Sequence, residues 1–224
     1  MNSDNKKASV VGGKPDDNLS PEVSCLSPLT LQASLVSTSG SHCEVWRSNR
    51  RLVAFSGYQE FVLKFPKDQL LEQDITTLMR DHRRLHDALE DIVPSSLFFV
   101  ADINAKPSLC IIAEAVDVWF NIANPQNREE AVALLESHPK ARNQLERFVS
   151  IAKQWRSSDS PRLIDLFGID NLVMDINREI RYLDSFFVFF FEDLPHLLAE
   201  VDPALEEKIA VSVERLNYLD GLLH

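Results

Sequence analysis

Apolar positions in the first half of the chain come in short runs separated by polar turns. Leu29 to Val36 has strand character, and Cys43-Glu44-Val45-Trp46-Arg47 resumes it after a turn of small residues, Ser37-Thr38-Ser39-Gly40-Ser41. Beyond a polar, arginine-rich turn, Phe61-Val62-Leu63-Lys64-Phe65 reads as a further strand, ended by Pro66, which lacks the N–H that a ladder needs. The period then changes. Leu70, Leu71, Ile75, Leu78, His82, Leu85 and Leu89 recur at three- and four-residue spacings with charges between them, which predicts a helix over 68–90, stopped by Val93-Pro94. Leu97 to Val100 and Leu109 to Ala113 read as strands around the turn Asn104-Ala105-Lys106-Pro107. Helices follow over 127–138 and 141–156, the second with Leu145, Phe148, Val149, Ile151 and Ala152 on one side. Two short apolar runs, Leu172-Val173-Met174 and Ile180-Arg181-Tyr182-Leu183, flank the turn residues Asp175 to Glu179 and predict a hairpin. Phe186 to Phe191 reads as buried core, and helices are predicted over 195–201 and 203–222.

Strands ahead of helices give an α+β class, with a small sheet-rich lobe and a helical lobe. Residues 1–27 are too polar to bury enough surface to offset chain entropy, and are expected to form a disordered arm. The sheet-rich lobe then spans 28–116 and the helical one 117–224, with the break near Glu114 to Asn121. No internal repeat is present.

Charge narrows the partners. Thirty-four acids against 23 lysines and arginines leave a net −11, which argues against wrapping nucleic acid or lying on an anionic membrane. Local basic patches remain, at Arg80, Arg83 and Arg84, and at Arg47, Arg50 and Arg51. Three separated cysteines (Cys25, Cys43, Cys110) support neither a disulfide framework nor a zinc knuckle. The N-terminus lacks the apolar stretch of a signal peptide, and Phe186 to Phe191 is far short of the ~20 residues that span a bilayer, so the expected compartment is the cytoplasm. His82 and His86 stand at i, i+4 without a third ligand, as a helix-face pair.

The chemistry-bearing stretch is Leu163 to Phe186. It holds a loop with Asp165, Gly168 and Asn171, then the hairpin, then Asp184 where the second strand ends. One loop aspartate, one amide and one further carboxylate can supply a general base and two oxygen ligands for magnesium, the parts that phosphoryl transfer needs. These residues resemble the catalytic core of protein-kinase-like and aminoglycoside-phosphotransferase-like enzymes, where an aspartate and an asparagine precede a β-hairpin that ends in a metal-binding aspartate. Asp165-Leu166-Phe167-Gly168-Ile169-Asp170-Asn171 is similar to the D-L-x-G-x-x-N form of bacterial relatives, with Gly168 giving the longer loop its turn. Leu163-Ile164 stands where protein kinases carry His-Arg, and Ser185-Phe186 follows Asp184 in place of Phe-Gly.

The resemblance implies a compact, two-lobed, protein-kinase-like fold and an ATP- and magnesium-dependent transfer of a phosphoryl group to a hydroxyl acceptor, on a small molecule or a protein. Asp165 would be the base, Asn171 and Asp184 the magnesium ligands. Lys64 would orient the nucleotide phosphates, paired with Asp81 on the following helix (Glu72 and Asp74 are rivals). Gly40 would lie in the phosphate-covering turn, and the backbone of Glu114 to Val116 would meet adenine. Protein kinases carry three glycines where this chain has Gly40 alone, and no A-P-E-like segment follows Asp184. The same resemblance therefore also admits a pseudokinase, a regulatory module binding nucleotide or protein without chemistry. An unrelated α+β interaction domain is the third possibility.

Overall fold

The computed structural model describes residues 33–37, 43–48, 52–54, 57–67, 70, 72–103, 106–184, 186–191 and 202–224. The expected arm, the turn containing Gly40 and the expected helix 195–201 lie outside them. The fold is mixed α+β, with a five-stranded antiparallel sheet and four α-helices among the described residues. The chain divides into two compact units: residues 1–70 with 96–115, and residues 71–95 with 116–224.

The first unit is built on strands β1 (Ala33–Ser37), β2 (Cys43–Ser48), β5 (Phe61–Pro66), β6 (Ser96–Ile103) and β7 (Lys106–Glu114), in the order β1-β2-β5-β7-β6. A bulge interrupts β1 between Leu35 and Ser37. Strand β7 is central enough that Leu109, Cys110, Ile111, Ile112 and Ala113 are all buried, as the unbroken apolar run requires. The arginine-rich turn conceals a small hairpin of β3 (Leu52–Ala54) and β4 (Gly57–Gln59).

In the second unit, α1 (Glu72–Leu89) runs into a 3₁₀ turn at Glu90–Ile92. Its place in the chain grouped this helix with the strands of residues 28–116, but Leu85 and Leu89 are fully buried in the core of the helical unit, so it packs there. Strand β8 (Val118–Phe120) precedes α2 (Arg128–Ser137) and α3 (Pro139–Arg156). Pro139 separates those helices: it has no N–H to continue α2 and suits the first position of α3. Strands β9 (Leu163–Ile164), β10 (Leu172–Asp175), β11 (Ile180–Tyr182) and β12 (Phe189–Phe190) follow. Last comes α4 (Pro203–Gly221), capped by Asp202, whose carboxylate accepts from Ala204 N at 3.0 Å. Phe148 of α3, Leu163, Tyr182 and Leu219 of α4 belong to one buried cluster. Phe186, Val188, Phe189 and Phe190 are buried as expected, whereas Phe187 and Phe191 are exposed. Among the described residues no helix is long and apolar enough to cross a membrane.

Candidate functional site

Asp165 emerges directly from a two-stranded pairing. Ile164 of β9 faces Phe189 of β12, and Asp165 N donates to Val188 O at 2.8 Å, so the strand fixes the backbone from which the carboxylate departs. The carboxylate then folds over its own loop, accepting from Phe167 N at 2.7 Å in an Asx turn. It is almost wholly buried, 4% exposed.

The loop returns through a turn in which Asn171 N donates to Gly168 O at 3.0 Å. Glycine at 168 leaves room for the Asn171 amide, because a Cβ there would stand 2.3 Å from Oδ1 and the side chain would have to shift. Asn171 in turn ties the site together. Its Nδ2 donates to the main-chain oxygen of Asp165 at 3.2 Å and to Asp184 Oδ2 at 3.3 Å, and its own carbonyl accepts from Leu183 N at 2.8 Å.

The intervening hairpin is antiparallel, with Leu172 opposite Tyr182 and Met174 opposite Ile180. Its turn is wound around Asp175 Oδ1, which accepts from Asn177 N and Glu179 N, and Arg178 occupies the left-handed region at φ 65°. Buried Gln144 of α3 anchors the second strand by accepting from Ile180 N at 2.9 Å. At the end of the hairpin Asp184 Oδ1 accepts from Phe186 N at 3.3 Å.

Asp165, Asn171 and Asp184 are thus brought together. Asp170 is not part of the group: its exposed carboxylate accepts from Asn121 Nδ2 at 2.9 Å. Lys64, 8% exposed, lies in β5 of the other unit, opposite Val45 and Ile111. Glu114 ends β7 opposite Phe61, and Val116 begins the second stretch of the helical unit. The Asp81 carboxylate stands 3.4 Å from Arg80 and 3.9 Å from Arg84. Gly40 lies outside the described residues.

Sequence reasoning overlooked four residues at the site. The Tyr182 hydroxyl, fully buried, donates to the Asp165 main-chain oxygen at 2.9 Å. From α4, Ser212 Oγ accepts from Leu166 N at 3.1 Å, and Arg215 Nη1 donates to Leu166 O at 2.6 Å and also to Phe167 O. Lys208 Nζ lies 5.9 Å from the centre of the Phe167 ring. Lys208, Ser212 and Arg215 recur at helical spacing, but their partners are main-chain atoms and one ring, which no side-chain pattern in the loop announces.

Burial is the main cause pushing the Asp165 carboxyl up to about 7, with the charge of Asp184 adding to it. The Phe167 N–H and the cations Lys208 and Arg215 oppose the rise. Burial also holds the Tyr182 phenol well above its ordinary range, reinforced by Asp184 and Asp165, so it remains a hydrogen-bond donor.

Oxygen donors suit a hard cation, and two neighbouring carboxylates whose charges repel gain from one placed beside them. Asp184 is the carboxylate at hand. Asn171 presents Nδ2 to it, so its amide must turn over before Oδ1 can join as a ligand. Among the described residues no cluster of three or more His, Cys, Asp or Glu is gathered. Asp184, and Asn171 after such a turn, are the residues here that could hold a cation.

Compared with known proteins, the chain matches no family model and has no significant match among curated sequences.

Proposed function

We propose that the protein is an ATP- and magnesium-dependent phosphotransferase of kinase-like fold, acting on a hydroxyl acceptor. The observation that carries this proposal is the convergence on Asn171: one amide bridges the Asp165 loop and Asp184 across the hairpin. Asp165 adds a carboxyl whose affinity for protons is poised near neutrality, as a general base needs.

In the proposed reaction the acceptor hydroxyl gives its proton to an Asp165 oxygen as its own oxygen bonds to the γ-phosphorus, while the bond from phosphorus to the β-phosphate oxygen breaks and ADP leaves. Tyr182 and Asn171 hold the Asp165 backbone, and the Phe167 N–H fixes one carboxylate oxygen, so the base is oriented before the substrate arrives. Asp184 and Asn171 would hold magnesium, which when bound supplies charge neutralisation for the phosphates. Lys64 would orient those phosphates.

Thermal unfolding with and without ATP and magnesium, on wild type and Asp184→Ala, tests the proposal. A ligand that binds only the folded state at ~100 times its Kd adds ~2.7 kcal/mol of stability. A magnesium-dependent rise in Tm, lost in Asp184→Ala, is expected. No rise at millimolar ATP would overturn nucleotide binding. A rise without turnover on any hydroxyl acceptor would leave a silent nucleotide-binding module.

A further inference from the structure

Arg215 directs its charge in an unusual way. Arg47, Arg142, Arg147 and Arg181 each meet a carboxylate. Arg215, half-buried on α4, makes no ion pair among the described residues. It turns Nη1 onto two main-chain oxygens instead, Leu166 O at 2.6 Å and Phe167 O. Burial lowers its pKa against the opposing pull of Asp165 and Glu214, so keeping the charge there has a cost. Hydrogen bonds from a charged donor are the stronger kind and offset it. A neutral amide would satisfy carbonyl oxygens without that cost, so the charge itself calls for an explanation.

The oxygens it holds give the charge a path to the Asp165 carboxylate. Leu166 O and Phe167 N belong to one planar peptide group. On one edge of that group Phe167 N donates to Asp165 Oδ1 at 2.7 Å, and on the other Arg215 holds the oxygen. The preceding peptide is gripped on both edges as well. Asp165 O accepts from the Tyr182 hydroxyl at 2.9 Å and from Asn171 Nδ2 at 3.2 Å, while Leu166 N donates to Ser212 Oγ at 3.1 Å. Every polar group of two consecutive peptides therefore has a partner. A cation on a peptide oxygen polarises the group and strengthens the bond that its N–H donates. Oδ1 of Asp165 is thus anchored, whereas Oδ2 accepts no hydrogen bond among the described residues.

We propose that Arg215 is a positioning residue for Asp165, acting through the Leu166–Phe167 peptide, and that Oδ2 is the carboxylate oxygen that takes the acceptor proton. This role rests on Asp165 being the base of the transfer proposed above. The acceptor O–H proton passes to Oδ2 as the acceptor oxygen bonds to the γ-phosphorus and the bond to the β-phosphate oxygen breaks. Oδ1 stays on the Phe167 N–H throughout, so the carboxyl does not rotate and its free lone pair keeps its direction. Arg215 itself meets neither nucleotide nor acceptor in this role, so its effect falls on kcat and leaves binding of ATP as it was.

Two readouts on the full chain test it, with Arg215→Gln removing the charge and Arg215→Lys keeping it. The first needs no activity. In Arg215→Gln the Phe167 amide proton is expected to move upfield and to exchange about tenfold faster or more, while the Leu166 amide, held by Ser212, changes less. An unmoved Phe167 amide overturns the path through the peptide. The second readout is magnesium-dependent hydrolysis of ATP, with water as the acceptor. In Arg215→Gln kcat is expected to fall about tenfold or more with the KM for ATP within about twofold, and Arg215→Lys to recover part of the loss. An unchanged kcat, a loss carried by KM, or no recovery in Arg215→Lys overturns the positioning role. Absence of hydrolysis in the wild type, with the Phe167 amide moved as expected, overturns the phosphotransferase reading and the catalytic part of this proposal with it, leaving only a hold on the loop. Should Arg215→Gln fail to fold, the wild-type guanidinium decides. Its Nη protons are expected to exchange more slowly than those of the exposed Arg83, and equal exchange overturns the hold.

Discussion

At the scale of single residues, Asp165 couples the candidate chemistry to folding stability. Its carboxyl is pushed up to about 7 by burial and by Asp184, whereas an unfolded aspartate titrates at about 3.9. Between those values the folded chain holds a proton that the unfolded chain has released, so stability falls as pH rises through this window. Below it both states are protonated, and above it the full cost of burying the charge is present. Asp165→Asn keeps the shape and an oxygen for the Phe167 N–H while removing the ionisation. At pH 8 the variant is expected to be more stable than wild type by about 2–4 kcal/mol, with the difference shrinking as pH falls towards 5, although the proposed transfer is lost. Urea denaturation across that range measures it, and a difference independent of pH would mean that ionisation of Asp165 is not its source. Asp165, Asn171 and Asp184 were singled out by the resemblance of their loop and hairpin to a kinase-like motif, and the structure brings the three together. Tyr182 was not: it reads as one more large side chain in a strand, and its acceptor is a main-chain oxygen seventeen positions earlier.

The elements that shape the site are the hairpin and α4. Turn residues and two apolar runs made the hairpin visible, and periodicity made α4 visible, with observed bounds Pro203–Gly221. Strands β9 and β12 are two residues each and β8 three, too short for any period to register, although the β9–β12 pairing fixes where Asp165 leaves the sheet. What α4 contributes could not be read from its own pattern, because Ser212 and Arg215 act on main-chain groups of a loop almost fifty residues away. The helix is a clamp on Leu166 and Phe167, and each contact has a separable consequence. Ser212→Ala leaves the buried Leu166 N–H without its acceptor, a loss of ~1–3 kcal/mol. Arg215→Ala removes a part-buried donor from two carbonyls, so its effect on overall stability is expected to be smaller. Amide exchange at Leu166 should accelerate in Ser212→Ala while the amides of α3 stay protected below the global unfolding limit. Wild-type stability together with wild-type protection at Leu166 would show that the clamp does not restrain the loop.

For the whole molecule, the chain divides into residues 1–70 with 96–115 and residues 71–95 with 116–224, where the sequence was read as two continuous stretches, 28–116 and 117–224. The assignment of α1 was not visible in the sequence, since periodicity reports that a helix has an apolar face but not which core receives it. Leu85 and Leu89 place it with the helices. Lys64 lies in the strand unit and Asp165, Asn171 and Asp184 in the helical one. Hydrogen exchange of the intact chain can therefore separate the candidate functions. With ATP and magnesium, a phosphotransferase or a nucleotide-binding module is expected to slow exchange both in β5, around Lys64, and over residues 163–184. Protection confined to 163–184 would remove Lys64 from the phosphate role while keeping the oxygen cluster as a cation site. Because linkage confines a ligand's stabilisation to the states that bind it, repeating the exchange with magnesium alone and with phosphate alone assigns each effect to its own group. Slowing in β5 that required both ATP and magnesium, and vanished in Asp184→Ala, would tie the strand unit's response to the carboxylate of the helical unit.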